Sequence, residues 1–123
     1  MRVLVVDDNT DAADGLAALL KLHGHEVRVA YDGPSALAMA ETFRPQAVLL
    51  DLGLPGMDGH EVARRLRQNP ELKGTWLAAV TGWGQPEERR RSKEIGFDRH
   101  LVKPVKPFLL VQLLAELRAN VSG

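Results

Sequence analysis

Five polar residues lie at or just beyond the ends of short apolar runs, and their side chains are of the types that phosphoryl chemistry uses. They are Asp7, Asp8, Asp51, Thr81 and Lys103. If the runs are strands of one parallel sheet, their carboxyl ends share one edge, and these residues meet in one crevice. Three clustered carboxylates repel one another unless a cation is bound, and oxygen ligands favour Mg²⁺ over zinc. With a hydroxyl and an ammonium nearby, the cluster predicts a site for a divalent cation and a phosphoryl group.

Each of these residue types also has a common structural explanation. An Asp-Asp pair at a strand end often caps the next helix, and a single threonine in a strand is uninformative. Lys103-Pro104 fits an ordinary turn, but an unpaired lysine at a buried strand end is costly, whereas one that faces three acids is paired. Asp51, a third carboxylate at the end of another predicted central strand, favours the metal site over the cap.

The histidines add little to this prediction. His23 and His25 flank a glycine turn, and His60 lies early in a helix that we expect to be exposed. We therefore expect these three side chains in solvent, and their spacing offers no two-histidine metal site.

Strand-like and helix-like segments alternate five times along the chain. Apolar runs that begin at Val3, Ala47, Leu77 and Leu101 are typical of strands buried on both faces of a parallel sheet. Residues 26–30 alternate polar and apolar side chains, which predicts a half-exposed edge strand. With right-handed crossovers, this order predicts a three-layer α/β sandwich.

Capping residues and apolar spacing predict the helix boundaries. Gly24 is placed to end the first helix, Pro34 opens the second and Pro45 blocks its continuation. Asp58 caps the third helix, with Glu61 in a capping-box pattern. The buried face of the first helix is predicted from five apolar residues: Ala12, Ala13, Leu16, Leu19 and Leu20.

The last two predicted helices differ. Residues 86–96 have almost no apolar face, so we expect this helix to dock weakly. The helix behind Pro107 carries a wide apolar stripe that we expect to be buried against the sheet. Its members are Leu109, Leu110, Leu113, Leu114 and Leu117.

The composition indicates one globular domain over residues 1–123. With 45% hydrophobic residues, the chain can form a single core and is too apolar for disorder. Lysine plus arginine and aspartate plus glutamate both number 16, so the basic surplus of a nucleic-acid binder is missing. The sequence has no cysteine and no apolar run of about 20 residues, so we expect no disulfide, no membrane span and a cytoplasmic location.

Taken in order, these residues resemble the receiver domain of bacterial two-component response regulators. The matching stretches are Val5-Val6-Asp7-Asp8, residues 50–59, Val80-Thr81-Gly82 and Lys103-Pro104, and the resemblance covers the whole chain. It implies a flavodoxin-like (βα)5 fold with a five-stranded parallel sheet in the order 2-1-3-4-5.

The resemblance also implies how the phosphoryl group is received. Asp51 is the nucleophile that forms an aspartyl-phosphate, and the donor is a phosphohistidine on a sensor histidine kinase or a histidine phosphotransfer protein. Asp51 and Asp8 ligate Mg²⁺, Asp7 does so mostly through water, and Gly53 uses its backbone carbonyl. Such a domain catalyses its own phosphorylation and slow dephosphorylation, but it is not a turnover enzyme.

Other family features concern the response to phosphorylation. Thr81 and Lys103 are implied to bind phosphate oxygens, and the peptide bond before Pro104 is typically cis. The switch position on the fifth strand is usually Tyr or Phe, but this chain has His100 there. Some receivers without the aromatic residue act as relays that pass the phosphoryl group on.

A finer likeness concerns receivers attached to hybrid sensor histidine kinases. Residues 81–85 and 96–105 resemble that type, and Trp83 is expected to shield the phosphoryl group and slow its hydrolysis. Whether the chain belongs to a hybrid kinase or is a single-domain regulator is left open. We expect any dimer to use the face formed by the predicted helix 86–96, the fifth strand and the last helix.

Three alternatives share parts of the pattern. A haloacid-dehalogenase-type enzyme needs a second aspartate two residues after the nucleophile, but Gly53 stands there. A flavodoxin needs a first loop that cradles a phosphate, and Asp7-Asp8 would repel one. A pseudo-receiver, which acts by contact without phosphorylation, is the main alternative, although the three acids, Thr81 and Lys103 argue against it.

Overall fold

The computed structural model describes residues 1–82 and 95–122, with side chains up to residue 119. The labels below number the described helices in chain order. The strands are β1 (Arg2–Val6), β2 (Glu26–Ala30), β3 (Ala47–Asp51), β4 (Trp76–Thr81) and β5 (Arg99–Val102). The helices are α1 (Thr10–Leu22), α2 (Gly33–Phe43), α3 (Gly59–Gln68) and α4 (Pro107–Ser122), with a 3₁₀ turn at Pro70–Leu72. The predicted helix 86–96 lies outside the described residues, apart from its last two positions.

The five strands form one parallel sheet in the order β2-β1-β3-β4-β5, which confirms the predicted fold. Because β2 lies at one edge, its alternating pattern has the predicted consequence, with Val27 and Ala30 buried and Glu26 and Arg28 exposed. All five residues of β3 are buried, as expected for a central strand.

Two apolar cores lie on opposite faces of the sheet. Side chains of β1 alternate between them, so Val3 and Val5 contribute to one core and Leu4 and Val6 to the other. The first core includes residues of α1 and α4, and the second includes residues of α2 and α3. The sheet is therefore the middle of three layers, as predicted.

Local capping explains where the helices begin and end. Asp32 accepts a hydrogen bond from the Ser35 N–H at the start of α2, next to the proline of its first turn. The same helix ends at Phe43, and its C-cap Arg44, whose φ of 51° is left-handed, lies directly before Pro45. Asp58 caps α3 as predicted.

The Glu61 carboxylate pairs with Arg64 and Arg65 on the exposed side of α3. The prediction for two histidines needs correction. His25 and His60 are buried, with 7% and 3% of their surface exposed, so they are not solvated as expected. His60 faces inward because α3 packs its first turn against the chain just before β5, where His60 meets Phe97 edge to face.

Both leucine-rich stripes are buried only in part. On α1, Ala13 and Leu20 are buried, but Ala12 is exposed and Leu16 is half-buried. On α4 the core takes Leu110 and Leu114, with Leu113 and Leu117 partly buried and Leu109 38% exposed. Among the described residues, no helix has the length and apolar character needed to cross a bilayer.

Candidate functional site

The topology brings the predicted site residues to one edge of the sheet. Asp7 and Asp8 directly follow β1, Asp51 is the last residue of β3, and Thr81 is the last residue of β4. Lys103 directly follows β5. Since all five strands run parallel, these positions lie at the carboxyl edge, where β1 and β3 are neighbours but their connections leave in opposite directions.

Three carboxylates converge at this edge. Asp7, Asp8 and Asp51 each offer one oxygen, and these oxygens all lie within 4.8 Å of one another. Asp51 is buried, Asp7 is half-buried and Asp8 is exposed, so the cluster grades from the protein interior to solvent. An all-oxygen donor set that is open to water on one side fits Mg²⁺.

Both oxygens of the Asp51 carboxylate are held by hydrogen bonds. The Gly53 N–H donates to Asp51 Oδ1 at 2.9 Å, and Lys103 Nζ donates to Asp51 Oδ2 at 3.0 Å. Lys103 Nζ also lies 3.8 Å from Asp7 Oδ2. The carboxylate of Asp51 is therefore fixed in orientation before any ligand arrives.

The ionisable groups of the site perturb one another. Burial lowers the pKa of Lys103, but the hydrogen bond to Asp51 and the negative charges of Asp51, Asp7 and Asp8 outweigh it, so its pKa lies above the usual value. Burial raises the pKa of Asp7, the Asn9 N–H opposes this, and the charge of Asp51 raises it further. Asp7 is thus harder to ionise than a solvated aspartate, chiefly because it is buried and secondly because Asp51 is close.

The cluster opens into a cavity of about 450 Å³. Thr81 is buried in its wall, and Gly53 and Gly82 line its exposed side. The cavity thus contains every residue predicted to take part in the chemistry. Its complete lining is Asp7, Asp8, Asn9, Asp51, Leu52, Gly53, Thr81, Gly82 and Lys103.

Asn9 has a part in the site that sequence reasoning did not assign. Its side-chain Oδ1 accepts from the Ala12 N–H and caps α1, while its own N–H donates to Asp7 Oδ1 at 3.0 Å. Because Asn9 supplies the cap, Asp7 and Asp8 are available to the cavity, and the simple capping explanation for that pair is wrong. The available signal was the position of Asn9, a favoured cap residue directly after the pair.

Gly59 is a second residue that sequence reasoning missed. A Cβ atom built on it would lie 2.7 Å from the backbone oxygen of Asp51 and 2.7 Å from Leu52 Cα. The first turn of α3 therefore packs directly on the backbone that carries Asp51. Only a residue without a side chain permits this approach.

Two further expectations concern the region around β5. The Lys103–Pro104 peptide bond is cis, as the resemblance implies, and His100 lies half-buried on β5. Trp83 and most of the predicted helix 86–96 lie outside the described residues, so the expectations for shielding and for weak docking stay predictions.

The fold and the acid cluster at its carboxyl edge define the class of CheY-like receiver domains. Residues 3–115 match the family described as "Response regulator receiver domain", and the chain belongs to that family. The structure of the chemotaxis protein CheY4 of Vibrio cholerae has a TM-score of 0.89 and 32% identity, covering 94% of this chain and 96% of that one.

Two other similar proteins differ in the share of their own length that this chain covers. The response regulator MprA of Mycobacterium avium is 38% identical over 119 residues, which make up 97% of this chain and 50% of MprA. This chain therefore spans half the length of that relative. The signal receiver domain of a signal transduction histidine kinase from Syntrophus aciditrophicus has a TM-score of 0.88 and 28% identity, covering 98% of this chain and 91% of that one.

Proposed function

We propose that this receiver domain accepts a phosphoryl group on Asp51 from a phosphohistidine and passes on the signal or the group itself. The observation that carries the proposal is the state of Asp51, a buried carboxylate held at both oxygens beside two further carboxylates. A structural aspartate in a core needs a partner for its charge, but it does not need two more acids next to it.

The proposed step is a phosphoryl transfer between two side chains. An Asp51 carboxylate oxygen forms a bond to phosphorus as the phosphorus–nitrogen bond of the phosphohistidine breaks. The donor ring carries a proton on its other nitrogen. The electron pair of the broken bond therefore stays on the imidazole nitrogen, and the ring leaves as neutral imidazole. Little covalent chemistry is asked of the domain, so positioning and charge stabilisation must supply most of the catalysis.

Mg²⁺ would be held by the carboxylates of Asp7, Asp8 and Asp51, with the Gly53 carbonyl as a fourth ligand. When bound, it would neutralise the carboxylates and the charge that develops on the transferring group. The clustering of three carboxylate oxygens beside a single ammonium supports this assignment, because a divalent cation would balance the remaining negative charge.

Lys103 and Thr81 would serve the transferred group. Lys103 donates to Asp51 in the unphosphorylated domain and would move its hydrogen bond to a phosphate oxygen after transfer. Thr81 would bind a second phosphate oxygen through its hydroxyl. The domain would thus promote its own phosphorylation and slow dephosphorylation without being a turnover enzyme.

The partner would be a sensor histidine kinase or a histidine phosphotransfer protein in the cytoplasm. The likeness to the receiver of a histidine kinase from Syntrophus aciditrophicus, together with residues 81–85, supports a receiver of the hybrid-kinase type. His100 at the switch position supports a relay over a shape-based output. We do not assign nucleic-acid binding to this domain, and any output dimer would use the face of helix 86–96, β5 and α4.

The test is the intact mass of the protein after incubation with Mg²⁺ and acetyl phosphate, for wild type and Asp51→Asn. We expect a gain of one phosphoryl group in wild type only, and its loss when EDTA is present. Asp14→Asn is the control, because it removes an exposed carboxylate of α1 that pairs with Tyr31 outside the cavity. A wild type that binds Mg²⁺ poorly and gains no mass would instead identify a pseudo-receiver.

A further inference from the structure

A second cavity lies beside the site, between α1 and the loop that joins β5 to α4. Its volume is about 590 Å³, within the range of ordinary binding pockets, and its lining is mostly apolar. The floor is the sheet, through Val5, Leu49 and Val80, and the far wall is Pro104, Val105 and Pro107. We call this cavity the α1 groove.

The α1 groove is open because the α1 residues that line it are small or only partly used by the core. Ala12, Gly15, Leu16 and Leu19 line it, and their spacing is that of one helix face. A Cβ atom added to Gly15 would meet nothing within 4 Å. The predicted apolar stripe of α1 is therefore shared between the core and an unfilled groove.

An exposed aromatic residue lies next to the α1 groove. Phe108 directly follows Pro107 in the groove wall, and 83% of its surface is exposed. Helical spacing places Phe108 on the same stripe of α4 as Val111 and Ala115, which share a small cavity with His23 at the end of α1. Phe108 is thus on the α1 side of α4, whereas Leu109 is one position round the helix.

We propose that the α1 groove is a self-association site, in which two copies of this domain pair about a two-fold axis and each inserts Phe108 into the groove of the other. Phe108 and the α1 groove lie on the same surface of the chain, which is what an isologous interface requires. An exposed phenylalanine gains most from such a contact, because aromatic side chains anchor protein interfaces when they enter a pocket.

The charges at the rim also suit a second copy. Asp11 lines the groove on the α1 side, and the exposed Lys106 lies in the loop on the opposite side. In the proposed pair, the α1 side of one copy would lie towards the loop side of the other, so Asp11 of each copy would lie near Lys106 of its partner. The chain also has equal numbers of acidic and basic residues, so no net repulsion opposes pairing.

Pairing would cover one side of the phosphorylation site, because Asp51 and Lys103 also line the α1 groove. This consequence rests on the proposed function, whereas the pairing itself does not. A paired domain would accept phosphoryl groups more slowly than a free one. Self-association would therefore inhibit phosphorylation until a donor protein displaces the second copy.

The experiment is sedimentation velocity at protein concentrations up to about 1 mM, where a small interface gives a measurable fraction of dimer. We expect wild type to dimerise and Phe108→Ala to raise the dissociation constant by about tenfold or more. Gly15→Leu, which fills the groove, should have the same effect without loss of fold. Gly15→Ala and Leu22→Ala are the controls, since alanine leaves the groove largely open and Leu22 is 84% exposed at the far end of α1.

A mixing experiment separates this contact from unspecific apolar association. The Phe108→Ala variant keeps its groove and Gly15→Leu keeps its phenylalanine, so a mixture of the two should form a heterodimer with one intact contact. A wild type that stays monomeric throughout, a Phe108→Ala variant that pairs as well as wild type, or a mixture without heterodimer would each overturn the proposal. None of these measurements needs phosphorylation, so they stand apart from the test with acetyl phosphate.

Discussion

The two ends of the sheet satisfy their charges in opposite ways. At the carboxyl edge three carboxylates face one ammonium, and the pKa of Asp7 is raised by burial and by the charge of Asp51. At the amino edge Arg67 of α3 donates hydrogen bonds to the carbonyls of Gly96, Lys73 and Thr75. The molecule therefore concentrates negative charge at the edge where we propose that ligands bind, and it pairs its charges at the edge where α3 joins the sheet.

Asp98 completes the arrangement at the amino edge. Its Oδ2 accepts from Arg67 Nη2 at 3.0 Å and from the Leu77 N–H at 2.8 Å, so one carboxylate ties β4 to α3. Arg2 does similar work nearby by donating to the carbonyls of Phe43 and Arg44. These hydrogen bonds therefore stabilise the edge of the sheet that lies opposite the acid cluster.

The largest loss of stability is expected from Arg67→Ala. Only 21% of the Arg67 side chain is exposed, and its removal takes the donor from several carbonyls and the charged partner from Asp98, which keeps the Leu77 N–H. We expect the free energy of unfolding to fall by about 2–4 kcal/mol, measured by urea denaturation.

Arg64→Ala is the matched control, because Arg64 is on the same helix but 52% exposed and paired only with Glu61. Its loss should cost less than about 1 kcal/mol. Equal losses for the two variants would contradict the contrast between the ends of the sheet.

A smaller loss, confined to the carboxyl edge, is expected from Gly59→Ala. The new methyl group would clash with the backbone oxygen of Asp51 and with Leu52 Cα. Relieving this clash requires a shift of the backbone, which costs free energy. We expect a cost of about 1–3 kcal/mol and a slower gain of mass from acetyl phosphate, since the displaced backbone carries Asp51.

Gly74→Ala separates this effect from a general change of glycine to alanine. A Cβ atom there would meet nothing within 4 Å. If Gly59→Ala phosphorylates at the wild-type rate, α3 does not position Asp51.

Most substitutions lower the free energy of unfolding, but we expect Asp7→Asn to raise it. The ionised carboxylate of Asp7 is disfavoured by burial and by Asp51, so an uncharged amide that can still accept the Asn9 hydrogen bond should raise the free energy of unfolding by about 1 kcal/mol without Mg²⁺. The affinity for Mg²⁺, followed by isothermal titration calorimetry, should fall by at least about tenfold.

The exposed Asp32 provides the comparison for this variant. It caps α2, and the Ser35 N–H lowers its pKa, so Asp32→Ala should lose stability while Mg²⁺ binding is unchanged. A loss of stability in Asp7→Asn would show that the acid cluster is not strained.

The sequence was a good guide wherever one residue type has one dominant physical use. Continuous apolar runs identified the strands, and the rule that parallel strands end at one edge placed Asp51, Thr81 and Lys103 together. The alternating pattern of residues 26–30 likewise identified the edge strand β2.

The misses concern residues whose environment depends on tertiary contacts. Nothing local indicates that His60 is buried, because its burial depends on Phe97, which lies far along the chain. Gly59 looks like an ordinary glycine at a helix start, and its role appears only when α3 packs on Asp51. The α1 groove was hidden because apolar spacing on a helix predicts a buried face without saying whether the neighbouring elements fill the space beside it.

The smallest expected effect is on the pH dependence of the free energy of unfolding. Its sign should differ between the two ends of the sheet. His25, next to the start of β2, has a pKa below the usual 6.5 because of burial, the Met1 amino group and Arg118. The folded protein therefore binds fewer protons there than the unfolded chain. The stability that neutral His25 contributes is present above pH 6.5 and is lost as the pH falls through its lower folded pKa.

Asp7 acts in the other direction, because its folded pKa lies above the usual 3.8. As the pH falls through that raised value towards 3.8, the folded protein takes up a proton at Asp7 before the unfolded chain does, and the strain at the carboxyl edge is relieved. Urea denaturation without Mg²⁺ between about pH 7 and pH 4 measures both effects, each amounting to about 1 kcal/mol or less. Replacing His25 by Asn should flatten the loss below pH 6.5, and Asp7→Asn should remove the gain at lower pH. If the two variants follow the wild-type curve, the contrast in charge between the ends of the sheet has no energetic consequence.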